Sequence, residues 1–392
     1  MKIALLCSGL GNIQRGHETF VRDIFDLLKK DVDITLFKGG GPKKSKEVII
    51  QNIPRESELL KGLRKNLICS EQWKDSIDDE KRTELEMETF AYNVLPHLIK
   101  GKYDVIHCPD SHILDLIYEK RDLFENIPKF IYANGGAIKP NKYPQFDFIQ
   151  HHSLFSYSIA GKYKKKSIII PYSVDLKQFK PKDDTSIRKK FNIPKDAFLI
   201  LSVGTICDNH KRMSHLIKEV AKVKEDIHLL ILGQTSNETK RIKELGNKLL
   251  KDKIHYGSLS RKELPKAYQT ADLFVLCSLF EGFGIVYLEA MASGLPIIAT
   301  NHDNQKWIMK GSSLLIDMKK EGLLASKIKL VKNNKVLRAF LSKKGLERVK
   351  YFSQDSIKKK YIELYKKVAK VKFKKKPYSF TDKIKNNLKF LK

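Results

Sequence analysis

The chain is 392 residues long, more than one ordinary hydrophobic core accommodates and suited to two domains of roughly 170 to 180 residues each. Lys and Arg total 75 against 45 Asp and Glu, a formal charge of +30, but the basic residues are spread along the chain without a nucleic-acid-binding motif, which argues against a dedicated nucleic-acid binder. No apolar run reaches the about 18 residues of a membrane span, and the opening apolar run, interrupted by Ser8, Gly9 and Gly11, is too short for a signal peptide. Cys7, Cys69, Cys108, Cys207 and Cys277 show no C-x-x-C or Cys/His spacing, as expected of reduced thiols in a cytosolic protein with no structural metal.

In chain order, Met1 to Cys7 reads as a buried strand, Gly9 to Gly16 as a loop, and Glu18 to Lys30 as a helix offering Phe20, Ile24, Phe25, Leu27 and Leu28 for packing. Ile34 to Phe37 is the next strand. Gly9-Leu10-Gly11 imitates the start of the dinucleotide fingerprint, but the third glycine is missing and the second strand ends in Phe37-Lys38 with no acid for a ribose, which argues against a nicotinamide dehydrogenase. The acidic helical stretch Glu71 to Glu88 is an insertion, open to an acceptor-side role or to packing alone. Tyr103 to Asp110 and Lys129 to Gly136 each read as a strand running into a loop. His151-His152 has no second ligand cluster in reach and reads as surface or cleft edge rather than metal.

Further along, Phe198 to Gly204 is a largely apolar strand ending in glycine, and Asn209-His210-Lys211-Arg212 opens a helical run with Leu216, Ile217 and Val220. Ile227 to Gly233 and Ile254 to Gly257 are further strands. Strands alternating with helices in both halves indicate parallel sheets. At the end of the chain, Val371 to Lys392 holds eight lysines against one acid, Asp382. Ile384, Leu388 and Leu391 there could line one side of a short helix, suited to an anionic membrane or simply to docking.

The most informative stretch is Glu281 to Pro296. Phe274 to Cys277 is a short apolar strand; Gly282 and Gly284 mark a loop; from Ile285 the pattern becomes helical until Gly294-Leu295-Pro296, and Pro296 to Thr300 is another strand. In such a unit ligands sit at the carboxyl ends of the strands, where the unpaired amides of the helix start attract an anion. Glycines let the backbone approach a ligand, Glu281 could accept from sugar hydroxyls, and Glu289, about one turn into the helix, from a ribose. Two acids at this spacing are, in isolation, ordinarily solvated surface residues.

The whole string is more specific: it resembles the signature of the retaining glycosyltransferases of family 4, which have the GT-B fold. The resemblance implies an α/β protein of two Rossmann-like, doubly wound domains facing across a cleft, with C-terminal helices returning to the first. The boundaries would be 1–172 for the acceptor domain, 173–352 for the nucleotide-sugar donor domain, 353–370 for the crossing helix and 371–392 for a basic tail. Ile168 to Asp175 is similar to the family's interdomain crossing. Carried over by position, Glu281 would orient the sugar and Glu289 the ribose. Lys211 and the amides of Gly282, Phe283, Gly284, Ile285 and Val286 would face the donor phosphates, with Gly16 approaching them from the first domain. Tyr256 lies in the segment beside the nucleobase. The chain departs from the pattern in the interdomain crossing, where Tyr172-Ser173 stand for the usual Asn-Gly, and at three places in the cleft. Arg15 replaces the first of a glycine pair. Asn134 stands where many members have a histidine, leaving His107 and His17 as the candidates for a cleft histidine. Thr205 takes the place of an arginine, leaving Arg212 or Arg15 as substitutes.

These features imply a metal-independent, retaining hexosyltransferase-like enzyme without cofactor. It would move a sugar from a UDP- or GDP-linked donor to a hydroxyl of a glycan or lipid-linked glycan in surface polysaccharide or lipopolysaccharide assembly, from the cytoplasm or peripherally on the cytoplasmic face of the membrane. Catalysis would rest on Glu281, Lys211 and His107. Two alternatives stay open: a GT-B protein of another activity, such as an epimerase or phosphorylase, or a basic nucleic-acid- or membrane-binding protein with a degenerate cleft.

Overall fold

The computed structural model describes residues 1–13, 16–63, 74–135 and 138–371. Arg15, Cys69, the start of the acidic insertion at Glu71 and the basic tail beyond Val371 lie outside the described residues. The chain divides into two units: Met1–His152, Ser156–Ile170 and Lys358–Lys392 form unit 1, and Ser153–Phe155 with Pro171–Ile357 form unit 2. The helix Gln354–Ala369 is therefore shared, its first turn belonging to unit 2 and the rest to unit 1.

Unit 1 is built on seven strands, β1 (Lys2–Cys7), β2 (Asp33–Lys38), β3 (Glu47–Ile49), β4 (Val105–Cys108), β5 (Lys129–Asn134), β6 (Phe148–His151) and β7 (Ser167–Ile169), in the order β3-β2-β1-β4-β5-β6-β7. All pairings are parallel; Leu5 lies between Leu36 of β2 and His107 of β4. Parallel strands are covered on both faces, so the central ones are rich in apolar residues, and Ile3 to Cys7 are fully buried. The helix Gly16–Leu28 buries Phe20, Val21, Ile24, Phe25 and Leu28, one face of a 3.6-residue period. The acidic insertion belongs to a helix that runs on from Lys74 to Gly101. This helix packs rather than projects: Phe90, Val94 and Leu98 join the core, and Glu86, fully buried, accepts from Arg55 Nη2 at 2.7 Å and Ser8 Oγ at 3.1 Å.

Unit 2 carries six parallel strands, β8 (Phe198–Val203), β9 (Ile227–Leu232), β10 (Ile254–Gly257), β11 (Leu273–Leu276), β12 (Ile297–Thr300) and β13 (Leu314–Ile316), in the order β10-β9-β8-β11-β12-β13. The sheet separates two apolar layers, one holding Leu199, Leu230, Phe274 and Tyr287, the other Ile200, Leu229, Val275 and Ile217. In both sheets the strand order reverses beside the first strand, between β1 and β4 and between β8 and β11. Crevices at such switch points are where open α/β sheets bind ligands.

Candidate nucleotide-sugar site

The loops that leave β8 and β11 meet at the unit 2 switch point. Lys211 from the first donates to Glu281 Oε1 from the second at 2.6 Å, and His210 Nε2 lies 3.5 Å from the same oxygen. Glu281 is buried, which by itself opposes its charge, but His210 and Lys211 more than offset this and bring its pKa to about 2. The carboxylate therefore stays ionised at any physiological pH. It can accept hydrogen bonds from hydroxyls; it has no proton to give as a general acid.

Each loop is held by residues outside the motif. In the first, Asp208 accepts from the Ser214 amide at 2.7 Å and from Arg241 Nη2 at 2.6 Å, while Glu238 accepts from the Asp208 amide at 2.9 Å. Gly204 leaves room for the Lys211 stem, since a Cβ there would lie 3.0 Å from Lys211 Cε. In the second, Asn304 Nδ2 donates to the carbonyls of Glu281 and Gly282 at 3.0 and 2.9 Å, and the buried Phe283 ring sits against Tyr172, Trp307 and Phe352. Gly284, the N-cap of the helix Ile285–Ala292, has φ +87°, which a side chain would strain. The first-turn amides at Ile285 and Val286 have no intrahelical carbonyl to reach. Glu289 lies half-buried in this helix and accepts from Oη of the fully buried Tyr268 at 2.6 Å, a bond that fixes the carboxylate from the neighbouring helix Leu264–Thr270.

Lys211, Glu281 and the Gly282 to Val286 loop are thus brought together by the fold, with Glu289 one turn along. Other expected site residues are placed elsewhere. Arg212 turns its Nη1 to the carbonyl of Met318 at 3.0 Å. Tyr256 runs its hydroxyl against the helix Thr239–Leu250, where a Cβ on Gly246 would lie 1.9 Å from it. Gly16 opens the first helix of unit 1, and a Cβ there would meet nothing within 4 Å.

The expectation for His107 as a catalytic group needs correction. It is fully buried in β4, its Nδ1 lies 2.8 Å from Tyr365 Oη, and burial depresses its pKa to about 3. These features make it a neutral core residue that docks the last helix, beside a second such bond from Gln150 Nε2 to Tyr361 Oη at 2.8 Å. His151 and His152 are likewise buried, not surface or cleft edge. His17 is half-buried, with Nε2 2.9 Å from Asp110 Oδ1. Asn134 is fully buried and donates to Tyr143 Oη at 3.3 Å. Missed by sequence reasoning were His210, Tyr268, Asn304 and Asp208, whose roles depend on distant partners; only His210 carried a local signal, its place beside Lys211.

Residues 183–348, nearly all of unit 2, match the family model described as glycosyl transferases group 1. Among relatives, mannosylfructose-phosphate synthase of Agrobacterium fabrum is 34% identical over 158 residues, covering 36% of this chain and 34% of that protein. An N-acetylgalactosaminyltransferase of Campylobacter jejuni that acts on N-acetylgalactosamine-N,N'-diacetylbacillosaminyl-diphospho-undecaprenol is 25% identical over 253 residues, covering 62% of this chain and 64% of its own. The matches thus span from about a third to just under two thirds of these relatives' length. Among solved structures, sucrose-phosphate synthase from Thermosynechococcus elongatus superposes with a TM-score of 0.75 at 20% identity over 94% of this chain and 98% of its own. Anabaena HepE in complex with UDP gives 0.73 at 15% identity over 94% and 100%. The chain is an α/β protein of the GT-B fold class, and residues 183–348 within it are similar to the glycosyl transferases group 1.

Proposed function

We propose that this chain is a retaining glycosyltransferase of family 4. It transfers a hexosyl group from a UDP- or GDP-linked sugar to a hydroxyl of a glycan or lipid-linked glycan in cell-surface polysaccharide or lipopolysaccharide assembly. The observation that carries this reading is the Lys211–Glu281 pair at the unit 2 switch point, beside the amides of a helix start, inside the group 1 domain. Transfer builds negative charge on the departing diphosphate, and cations and amides fixed in advance stabilise it without reorganising. In this reading Lys211 and the amides from Phe283 to Val286 receive the diphosphate, Glu281 orients the sugar, and Glu289, steadied by Tyr268, accepts the ribose hydroxyls. Side-chain and amide charge does this work, so no metal and no further cofactor takes part. Unit 1 serves the acceptor. The relative that acts on an undecaprenol-linked glycan and the UDP-bound neighbour support the acceptor class and the donor.

Thermal stabilisation by UDP-, GDP-, ADP- and CMP-sugars, in wild type and in Glu289→Ala, tests the donor site. At least one donor should raise the Tm of the wild type, and the variant should lose most of that rise. A flat response to the whole panel sinks the reading. The basic segment 371–392 supports placing the enzyme peripherally on the cytoplasmic face of the membrane. Flotation with anionic liposomes should weaken when that segment is deleted; unchanged flotation would remove this assignment.

A further inference from the structure

A diphosphate carries more charge than one lysine matches, and Lys211 is already engaged by Glu281 at 2.6 Å before any ligand arrives. Thr205, on the same loop, is uncharged, and Arg212 faces the carbonyl of Met318. The remaining cationic group on this loop is His210, whose side chain is 52% exposed while Nε2 stays 3.5 Å from Glu281 Oε1. Resting on the donor-site reading above, we propose that protonated His210 is the second cation of the site and binds the donor diphosphate together with Lys211.

The chemistry follows from the two ring nitrogens. Protonated, the imidazole donates from Nε2 to Glu281 and from Nδ1 to a phosphate oxygen; neutral, it has one N–H for the two acceptors. Diphosphate binding is then linked to proton uptake, so affinity is greatest where the imidazolium is populated and falls as pH rises. Among the described residues, the Glu281 carboxylate and, across it, Lys211 are the charged groups that face His210. Asp208 of the same loop is already committed to Ser214 and Arg241. Glu281 itself stays ionised throughout, so the loss at high pH belongs to the histidine. The exposure of His210 also means that replacing it removes no core contact.

Calorimetric titration with UDP, GDP, ADP and CDP at pH 6 and pH 8.5, on the full chain as wild type, His210→Ala and His210→Arg, tests this. The best-bound diphosphate should bind His210→Ala about tenfold more weakly than wild type at pH 6, the loss of one charge-assisted bond. At pH 8.5 wild type and His210→Ala should converge, and His210→Arg should hold its affinity across the range. Since the terminal phosphate also titrates near pH 6, the arginine variant supplies the control. Equal binding by wild type and His210→Ala at pH 6, or a pH dependence in His210→Arg as steep as the wild type's, overturns the inference and leaves the donor site intact. Failure of wild type to bind any of the four overturns the donor-site reading and this inference with it.

Discussion

The two switch points have the same topology and opposite chemistry. In unit 2 the loops after β8 and β11 bring a lysine, a histidine and a glutamate to a site where His210 is open and Lys211 partly so. In unit 1 the charges near the ends of β1 and β4 are folded inward: Arg55 and Glu86 pair at 2.7 Å with side chains 5% and 0% exposed, and Asp110, though at the N-cap of the helix Ser111–Glu119, turns to His17 instead of capping. The same strand order thus leaves charged side chains partly open to solvent in one unit and turns them inward in the other. What decides is whether a charged group finds its partner within the fold or leaves a hydrogen-bonding direction for a ligand.

The largest effect should come from breaking the buried pair. Glu86 accepts from Arg55 through its amide, Nε and Nη2, and from Ser8 Oγ. Glu86→Ala leaves the Arg55 guanidinium buried without its carboxylate, a loss of about 3 to 5 kcal/mol in such pairs. Denaturant unfolding should show it as a clear fall in midpoint. A midpoint within error of wild type would mean that water reaches Arg55 and that the inward character of unit 1 is overstated.

Lys211→Ala is the counterpart on the other side of the comparison. It should cost activity more than stability: turnover falling by about 10² to 10³, as when one preorganised donor to developing charge is removed, with a midpoint shift smaller than that of Glu86→Ala. Initial rates of donor turnover measured beside the unfolding curves check both halves at once. A variant that unfolds like Glu86→Ala but turns over normally would make the Lys211–Glu281 pair structural, and the contrast between the switch points would vanish.

How much of this was legible in the sequence follows from the reach of each interaction. Strands β1, β8, β9 and β11 are predominantly apolar because parallel strands are covered on both faces, and the Glu281 to Pro296 string carries its turn, helix start and stop within a few residues. Short edge strands such as β3 and β13 left no comparable signal, since three residues are too few for a strand pattern to stand out even where, as in β13, all are apolar. His107 misled for a related reason. A histidine at a strand end looks available for chemistry, while the phenol that claims it belongs to Tyr365, 258 residues away. Asn304 and Tyr268 stayed hidden likewise: each fixes a residue of the motif from an adjacent element, and nothing in their local sequence announces it.

The smallest effect, and the one that most directly separates the two switch points, lies in the pH dependence of the His17–Asp110 pair. Burial opposes charge on both groups, but each outweighs it for the other, so the pKa of His17 is raised and that of Asp110 lowered. Arg55 and Glu18 also act on His17, in opposite senses. A raised histidine contributes stability that is complete below its unfolded pKa of about 6.5 and fades as pH rises through the folded value; a lowered aspartate contributes above about 3.9 and fades as pH falls through its own. The pair therefore stabilises most between roughly pH 4 and 6.5. Asp110→Asn should lower Tm more at about pH 5.5 than at a pH above the raised pKa of the folded histidine, where only a neutral hydrogen bond remains to be weakened. A Tm deficit that stays constant across this range would show that the pair is not an ion pair and that its contribution to the fold is a neutral hydrogen bond.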